Sequence, residues 1–155
     1  MIQWKNILAP TDFSDLSLVG LNYAVSLAQS SGATLHCVHV LDESYQYWIT
    51  MGPEGVPAGP SFEELFAQAR QAMVQFKERQ LSGVSVPVVT DILAGLPFME
   101  IIRYARDKSI DLIVIATHGR SGVSRWVWGS VADRILRSSC VPVLMVRAPG
   151  CVPGI

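Results

Sequence analysis

The chain has 155 residues, of which 50% are hydrophobic and 16% charged, with a net charge of −1. That length and apolar content suit one domain with one sizeable core, and sparse, balanced charge without a Lys/Arg run excludes a broad electrostatic surface for nucleic acid or an anionic membrane. No stretch approaches the roughly 18 apolar residues of a membrane span. The start Met1-Ile2-Gln3-Trp4-Lys5-Asn6 has no basic-then-apolar leader, so a soluble cytoplasmic protein is expected.

The first predicted strand, Lys5 to Pro10, leads into Thr11-Asp12-Phe13-Ser14 and then a helix with Leu18, Leu21, Val25 and Ala28 on one face, which Gly32 is placed to end. A second strand, Thr34 to Leu41, precedes a segment of about 43–61 whose run Met51-Gly52-Pro53-Glu54-Gly55-Val56-Pro57-Ala58-Gly59-Pro60 reads as a mobile loop or lid. Phe62, Leu65, Phe66, Ala69, Met73 and Phe76 form a helical stripe for core packing. A third strand runs from Ser85 to Leu93, and Gly95-Leu96-Pro97 introduces a helix with Phe98, Ile101, Ile102 and Ala105. The apolar run Ile110 to Ile115 is the fourth strand. A helix after Gly129 and Ser130 carries Val131, Ala132, Ile135 and Leu136, and Val141 to Val146 is the fifth strand before a tail at 148–155.

Alternating strands and helices predict an α/β fold with a single open, five-stranded, mostly parallel sheet. Proline cannot donate to a ladder and is largely confined to edges, strand starts or bulges, so Pro87 and Pro142 assign strands three and five to the edges. The order 3-2-1-4-5 follows, and right-handed crossovers put helices on both faces. The order reverses between strands one and four, where ligands of open α/β sheets bind beyond the carboxyl ends. An uncharged fifth strand, Val143-Leu144-Met145-Val146, at an edge invites pairing with a second copy, so a homodimer through Val141 to Val146 is expected; cover by the chain's own tail is the alternative.

The switch point brings two segments together. Ala116-Thr117-His118-Gly119, nine residues, then Gly129-Ser130 reads as a phosphate cradle, with amides near Gly119, Gly122, Gly129, Ser130 and Val131 and the Ser130 hydroxyl facing the ligand. An ordinary βα connection with glycine turns is the other reading, and glycine spacing alone does not separate them. Neither G-x-x-x-x-G-K-[ST] nor G-x-G-x-x-G is present. Across the switch point, Asp12 beside Pro10 and Thr11 either accepts from ribose hydroxyls or an adenine amino group, or caps the helix that follows, a role open also to Ser14 and Asp15.

His118 lies in the cradle without a partner nucleophile or carboxylate, so no catalytic residue is assigned. Arg120 and Arg125 either screen phosphate or are solvated, and Trp126 and Trp128 are read as packing. His36 and His39 are three apart in a strand, point to opposite faces and cannot chelate one metal. Cys37, Cys140 and Cys151 form no C-x-x-C pair; the first two read as small buried residues and the third as a thiol in the tail.

Together these residues resemble the universal stress protein family. The resemblance rests on Ile7-Leu8-Ala9-Pro10-Thr11-Asp12-Phe13-Ser14, His39-Val40-Leu41-Asp42, the cradle running into Gly129-Ser130-Val131, and Val141-Pro142-Val143-Leu144-Met145-Val146-Arg147, and it covers residues 1–147. It implies an adenine nucleotide alpha hydrolase-like fold and membership of the ATP-binding branch, whose pattern is Gly, two residues, Gly, nine residues, then Gly and Ser or Thr. Gly119, Gly129 and Ser130 match, and Ala116 stands at the first glycine. The resemblance further implies that Asp12 holds the ribose or adenine end, the Val40 backbone contacts adenine, Ile115 and Ala116 line the nucleotide, and Gly119, Gly129, Ser130 and Val131 hold the phosphates of ATP, ADP or AMP. Any Mg²⁺ would come with the nucleotide and reach Ser130. The expected function is a nucleotide-responsive stress or signalling module. The alternatives are a slow ATPase or phosphotransferase using Ser130 and Mg²⁺, and an interaction protein with a vestigial pocket. The related S-G-G-x-D-S and H-x-G-H signatures are absent near strand one, which disfavours an enzyme.

Overall fold

A computed structural model describes residues 1–44, 59–117 and 130–149. The elements in order are β1 (Asn6–Pro10), α1 (Asp15–Ser31), β2 (Thr34–Asp42), α2 (Phe62–Gln80), β3 (Val88–Gly95), α3 (Pro97–Asp107), β4 (Leu112–Thr117), α4 (Ser130–Ser138) and β5 (Val143–Arg147). The sheet order is β3-β2-β1-β4-β5, as the prolines indicated, and all of its pairings are parallel.

Both prolines lie just outside the strands to which the sequence pattern assigned them. Pro87 precedes β3 and Pro142 precedes β5, yet the carbonyl of each still accepts a ladder bond, from Leu35 N at 2.9 Å and Ile113 N at 3.0 Å. A proline at a strand start loses nothing, because only its missing N–H would have been needed. Asp111, just before β4, pins the start of β1 by accepting from the amides of Lys5 (2.7 Å) and Asn6 (2.8 Å).

Residue alternation divides the core into two layers, because successive strand side chains point to opposite faces. Ile7, Ala9, Leu35, Cys37, Leu112 and Val114 meet α1 and α2 on one face. Leu8, Val38, Val40 and Ile113 meet Ile101 and Tyr104 of α3 and Ile135 of α4 on the other. Helix ends follow their local signals. Ser14 caps α1, and Gly32 ends it at φ 71°, a left-handed conformation that costs glycine nothing. Ser61 and Glu64 form a reciprocal capping box on α2, and Pro97 opens α3 at its first position.

Some expectations are corrected. Cys140 is exposed, because it lies in the tight connection from α4 to β5 in which the Ser139 hydroxyl both donates to the Val141 carbonyl and accepts from its amide. Leu136 is also exposed, since Ala132 and Ile135 already fill the buried face of the short α4. The loop expected at about 43–61 lies largely outside the described residues, as does Cys151. Cys37 is wholly buried, and burial pushes its thiol up to about 12, leaving it protonated and unreactive.

His36 and His39 do face opposite sides of the sheet. His36, only 7% exposed, shares a 3.0 Å hydrogen bond between its Nδ1 and the Tyr104 hydroxyl, tying β2 to α3. Burial lowers the His36 pKa, and the Lys108 charge, whose ammonium lies 5.9 Å over the Tyr104 ring, acts in the same direction. Burial first, then the charge of Asp91, and at the alkaline end the Cys37 thiolate, raise Tyr104 to about 12, so its hydroxyl keeps its proton. The unfolded chain therefore takes up a proton at His36 before the folded one does. The stability that neutral His36 confers is complete above its ordinary value of 6.5 and declines as pH falls below it. Thermal unfolding followed from pH 8 to pH 5.5 should show that decline in the wild type and a flatter profile in His36→Leu. Parallel profiles would remove His36 as its source.

Candidate functional site

Beyond the carboxyl ends of β1 and β4 lies a cavity of about 370 Å³, a size that suits a small organic ligand. Its walls come from the segment after β1 (Pro10, Thr11, Asp12), the first turns of α1 (Leu16, Ser17) and the middle of β2 (His39, Val40). Ile115 and Ala116 close it from β4, Pro97 and Ile101 from α3, and Val131 and Ala132 from α4. Val40, Ile101 and Ala132 are buried and give the cavity apolar walls, while the polar groups gather at the β1 turn.

That turn is built by a chain of hydrogen bonds. Thr11 extends the β1 ladder through its amide to the Val38 carbonyl at 2.8 Å and is only 6% exposed. The Ser17 hydroxyl gives its one proton to the Ser14 carbonyl at 2.8 Å, so the Thr11 hydroxyl donates to Ser17 Oγ at 2.9 Å and accepts from the Phe13 amide at 3.0 Å. A carbonyl oxygen can only accept, so the 2.8 Å contact between His39 Nδ1 and the Thr11 carbonyl assigns the proton to Nδ1. Phe13 sits at φ 64°, a strained conformation for a residue with a Cβ. Its ring is held against His39 (centroids 4.6 Å apart) and Phe76 (5.4 Å).

Asp12 is exposed at the mouth of the cavity. Its Oδ1 accepts from the Ser14 amide at 3.0 Å and from the Ser14 hydroxyl, while Ser14 Oγ accepts from the Ser17 amide at 3.2 Å. Of the two roles weighed for Asp12, capping of α1 falls to Ser14, and Asp12 orients that cap. Partial burial pushes the Asp12 carboxyl up, but the hydrogen bonds from the Ser14 hydroxyl and amide outweigh it and hold the carboxyl below its ordinary value. Asp12 is therefore a carboxylate at neutral pH, with an acceptor turned to the cavity mouth.

Of the residues singled out in the sequence, Pro10, Thr11, Asp12, Val40, Ile115, Ala116 and Val131 meet around one cavity. His118, Gly119, Arg120, Gly122, Arg125, Trp126, Trp128 and Gly129, with the side chain of Ser130, lie outside the described residues. The backbone of α4 begins at Ser130, so a helix N-terminus with its partial positive charge stands beside Val131. Sequence reasoning missed Leu16, Ser17, Pro97, Ile101 and Ala132 as walls, and for His39 excluded only a metal shared with His36. The signal for α3 was available: in a parallel sheet the start of every crossover helix lies at the carboxyl edge, so Pro97 is brought to the same edge as Thr11. Among the described residues no group of His, Cys, Asp and Glu could hold a metal ion, and no helix is long and apolar enough to cross a membrane.

The model of the Universal stress protein family matches residues 3–147. Universal stress protein MJ0531 of Methanocaldococcus jannaschii is 34% identical over 149 residues, covering 94% of this chain and 84% of the relative. The solved structure of hypothetical protein MJ0577, from the same organism, superimposes with a TM-score of 0.77 at 26% identity, covering 97% of this chain and all of that one. A universal stress protein from Archaeoglobus fulgidus, solved in complex with dAMP, shares the fold with a TM-score of 0.62 at 20% identity, covering 94% of this chain and 98% of that one.

The strain and packing at Phe13 oppose each other and can be separated. Phe13→Ala should lose about 3 kcal/mol of stability with the ring contacts. Phe13→Gly loses the same contacts but relieves the left-handed backbone, and should be about 1 kcal/mol more stable than Phe13→Ala. Urea unfolding of both variants measures the difference, and an alanine variant as stable as the glycine variant would contradict a strained turn.

Proposed function

This chain belongs to the universal stress protein family, and we propose that it binds ATP, or ADP or AMP, at the β1/β4 switch point and acts as a nucleotide-responsive stress or signalling module in the cytoplasm. The observation that carries this reading is the placement of the Asp12 carboxylate and the start of α4 around one apolar cavity. An adenine ring suits walls such as Val40, Ile115 and Ile101, a ribose suits the Asp12 acceptor, and phosphates suit a helix N-terminus. The Val40 backbone takes the adenine edge, and Gly119, Gly129, Ser130 and Val131 take the phosphates. The dAMP complex of the A. fulgidus relative supports an adenine nucleotide as the ligand class.

Three or four charge-assisted phosphate bonds at roughly 1.5–3 kcal/mol each supply on the order of 5–10 kcal/mol before ordering costs. Micromolar binding corresponds to about −8 kcal/mol. Fast hydrolysis asks for more, namely a cation at the γ-phosphate and a group that orients water. Among the described residues no lysine or arginine lines the cavity, and Asp12 is assigned to the nucleoside end. Binding is therefore the proposed activity, with any Mg²⁺ entering on the nucleotide.

Calorimetry with ATP, ADP and AMP, with mass spectrometry of small molecules released from freshly purified, denatured protein, tests the reading. Asp12→Asn keeps the Oδ1 acceptor for Ser14 but loses the charge, so ATP affinity should fall about tenfold, some 1.4 kcal/mol, with little change in stability. No nucleotide by either route would overturn the proposal.

The exposed edge of the sheet supports a second element of the same reading, a homodimer through β5. Leu144 is 37% exposed on this edge strand, which carries no charge from Val143 to Val146. Sedimentation at micromolar concentration should give a dimer for the wild type and a monomer for Leu144→Lys. A wild-type monomer would exclude this pairing.

A further inference from the structure

Gly20 lies in the second turn of α1, one turn beyond Leu16 and Ser17, with its backbone against the end of β4. A methyl group at position 20 would sit 3.0 Å from the Ala116 amide nitrogen, and 3.4 Å from both the Ala116 Cβ and the Ile115 carbonyl carbon. The Ala116 methyl is thus turned toward α1, in keeping with the alternation that sends Leu112 and Val114 to the same face. At the contact β4 is held by its pairing to β5, with Ala116 opposite Val146, while its pairing to β1 ends at Ile113. The two sides of this contact are also two walls of the cavity, Leu16 and Ser17 on α1 and Ile115 and Ala116 on β4.

We propose that Gly20 is a positioning residue for the cavity. By admitting the Ala116 amide and methyl against α1, it sets the separation between the first turns of α1 and the end of β4, and so the width of the slot that receives the nucleoside. This rests on the nucleotide reading above. It assigns the Ala116 methyl to the helix interface rather than to the ligand, so Ala116 does not obstruct the slot. A side chain at position 20 acts at a distance from the ligand, by moving one wall relative to the other.

ATP calorimetry on the wild type, Ala116→Gly, Gly20→Ala and the double variant tests this, with thermal unfolding of all four. Gly20→Ala should bind at least about tenfold more weakly than wild type, and the double variant should recover at least about threefold over Gly20→Ala, because deleting the Ala116 methyl relieves part of the contact; Ala116→Gly alone closes the cycle as its reference. Gly20→Ala binding as wild type does, or a double variant as weak as Gly20→Ala, overturns the proposal. If Gly20→Ala does not fold, the double variant carries the test: it must fold and bind, and its failure to do so also overturns the proposal. If the wild type itself binds no ATP, ADP or AMP, the nucleotide reading falls. The contact is then judged from unfolding midpoints, with non-additive shifts supporting it and additive shifts overturning it.

Discussion

All five strands run in the same direction, and that constraint determines where everything else lies. A parallel sheet buried on both faces needs a crossover after each strand, and every crossover leaves from the carboxyl edge. The starts of α1, α3 and α4 therefore converge at that edge, where the strand order reverses between β1 and β4 and the crossovers part to opposite faces. The gap between them is the cavity. No residue had to be selected to open it, and the residues that matter are those that shape its walls.

The wall at β1 shows how the shaping is done. Ordinary capping would have placed Ser14 on α1 with no further consequence, but here the Thr11 and Ser17 hydroxyls, the Ser14 carbonyl and the Asp12 carboxylate are linked in one network. A backbone strained at Phe13 costs of order 1–3 kcal/mol, and the ring contacts with His39 and Phe76 offset it. The opposite wall depends on a different device. Glycine in a helix interior is less favourable than alanine by about 1 kcal/mol, yet Gly20 stands inside α1 where a Cβ would come within 3.0 Å of the β4 backbone.

The fold was legible in the sequence to the level of strand order, because two prolines and an apolar alternation carry that information locally. Pro87 and Pro142 were each displaced by only a residue or so from the assigned strands, since a strand start and a strand interior look alike until the ladder partners are known. Asp12, Val40, Ile115, Ala116 and Val131, expected from topology and the family pattern, do line the cavity at the switch point. Pro97, Ile101 and Ser17 were passed over, because no local pattern of residue types marks them and only the parallel topology, which starts each crossover helix at the carboxyl edge, points to them. Cys140 was misjudged for the opposite reason, since cysteine's general preference for burial was overridden by a tight turn that leaves the side chain outside.

Whether one cavity, walled by β1, β2, β4 and α4, takes an adenine nucleotide decides the function of this protein. Amide NMR of the ¹⁵N-labelled protein during an ATP titration tests that most directly. Saturable shifts at Thr11, Asp12, Val40, Ala116 and Val131, with Val89 on the far edge and Arg103 unmoved, are the predicted result. An ATP titration that moves none of these, or moves β3 alone, would contradict it.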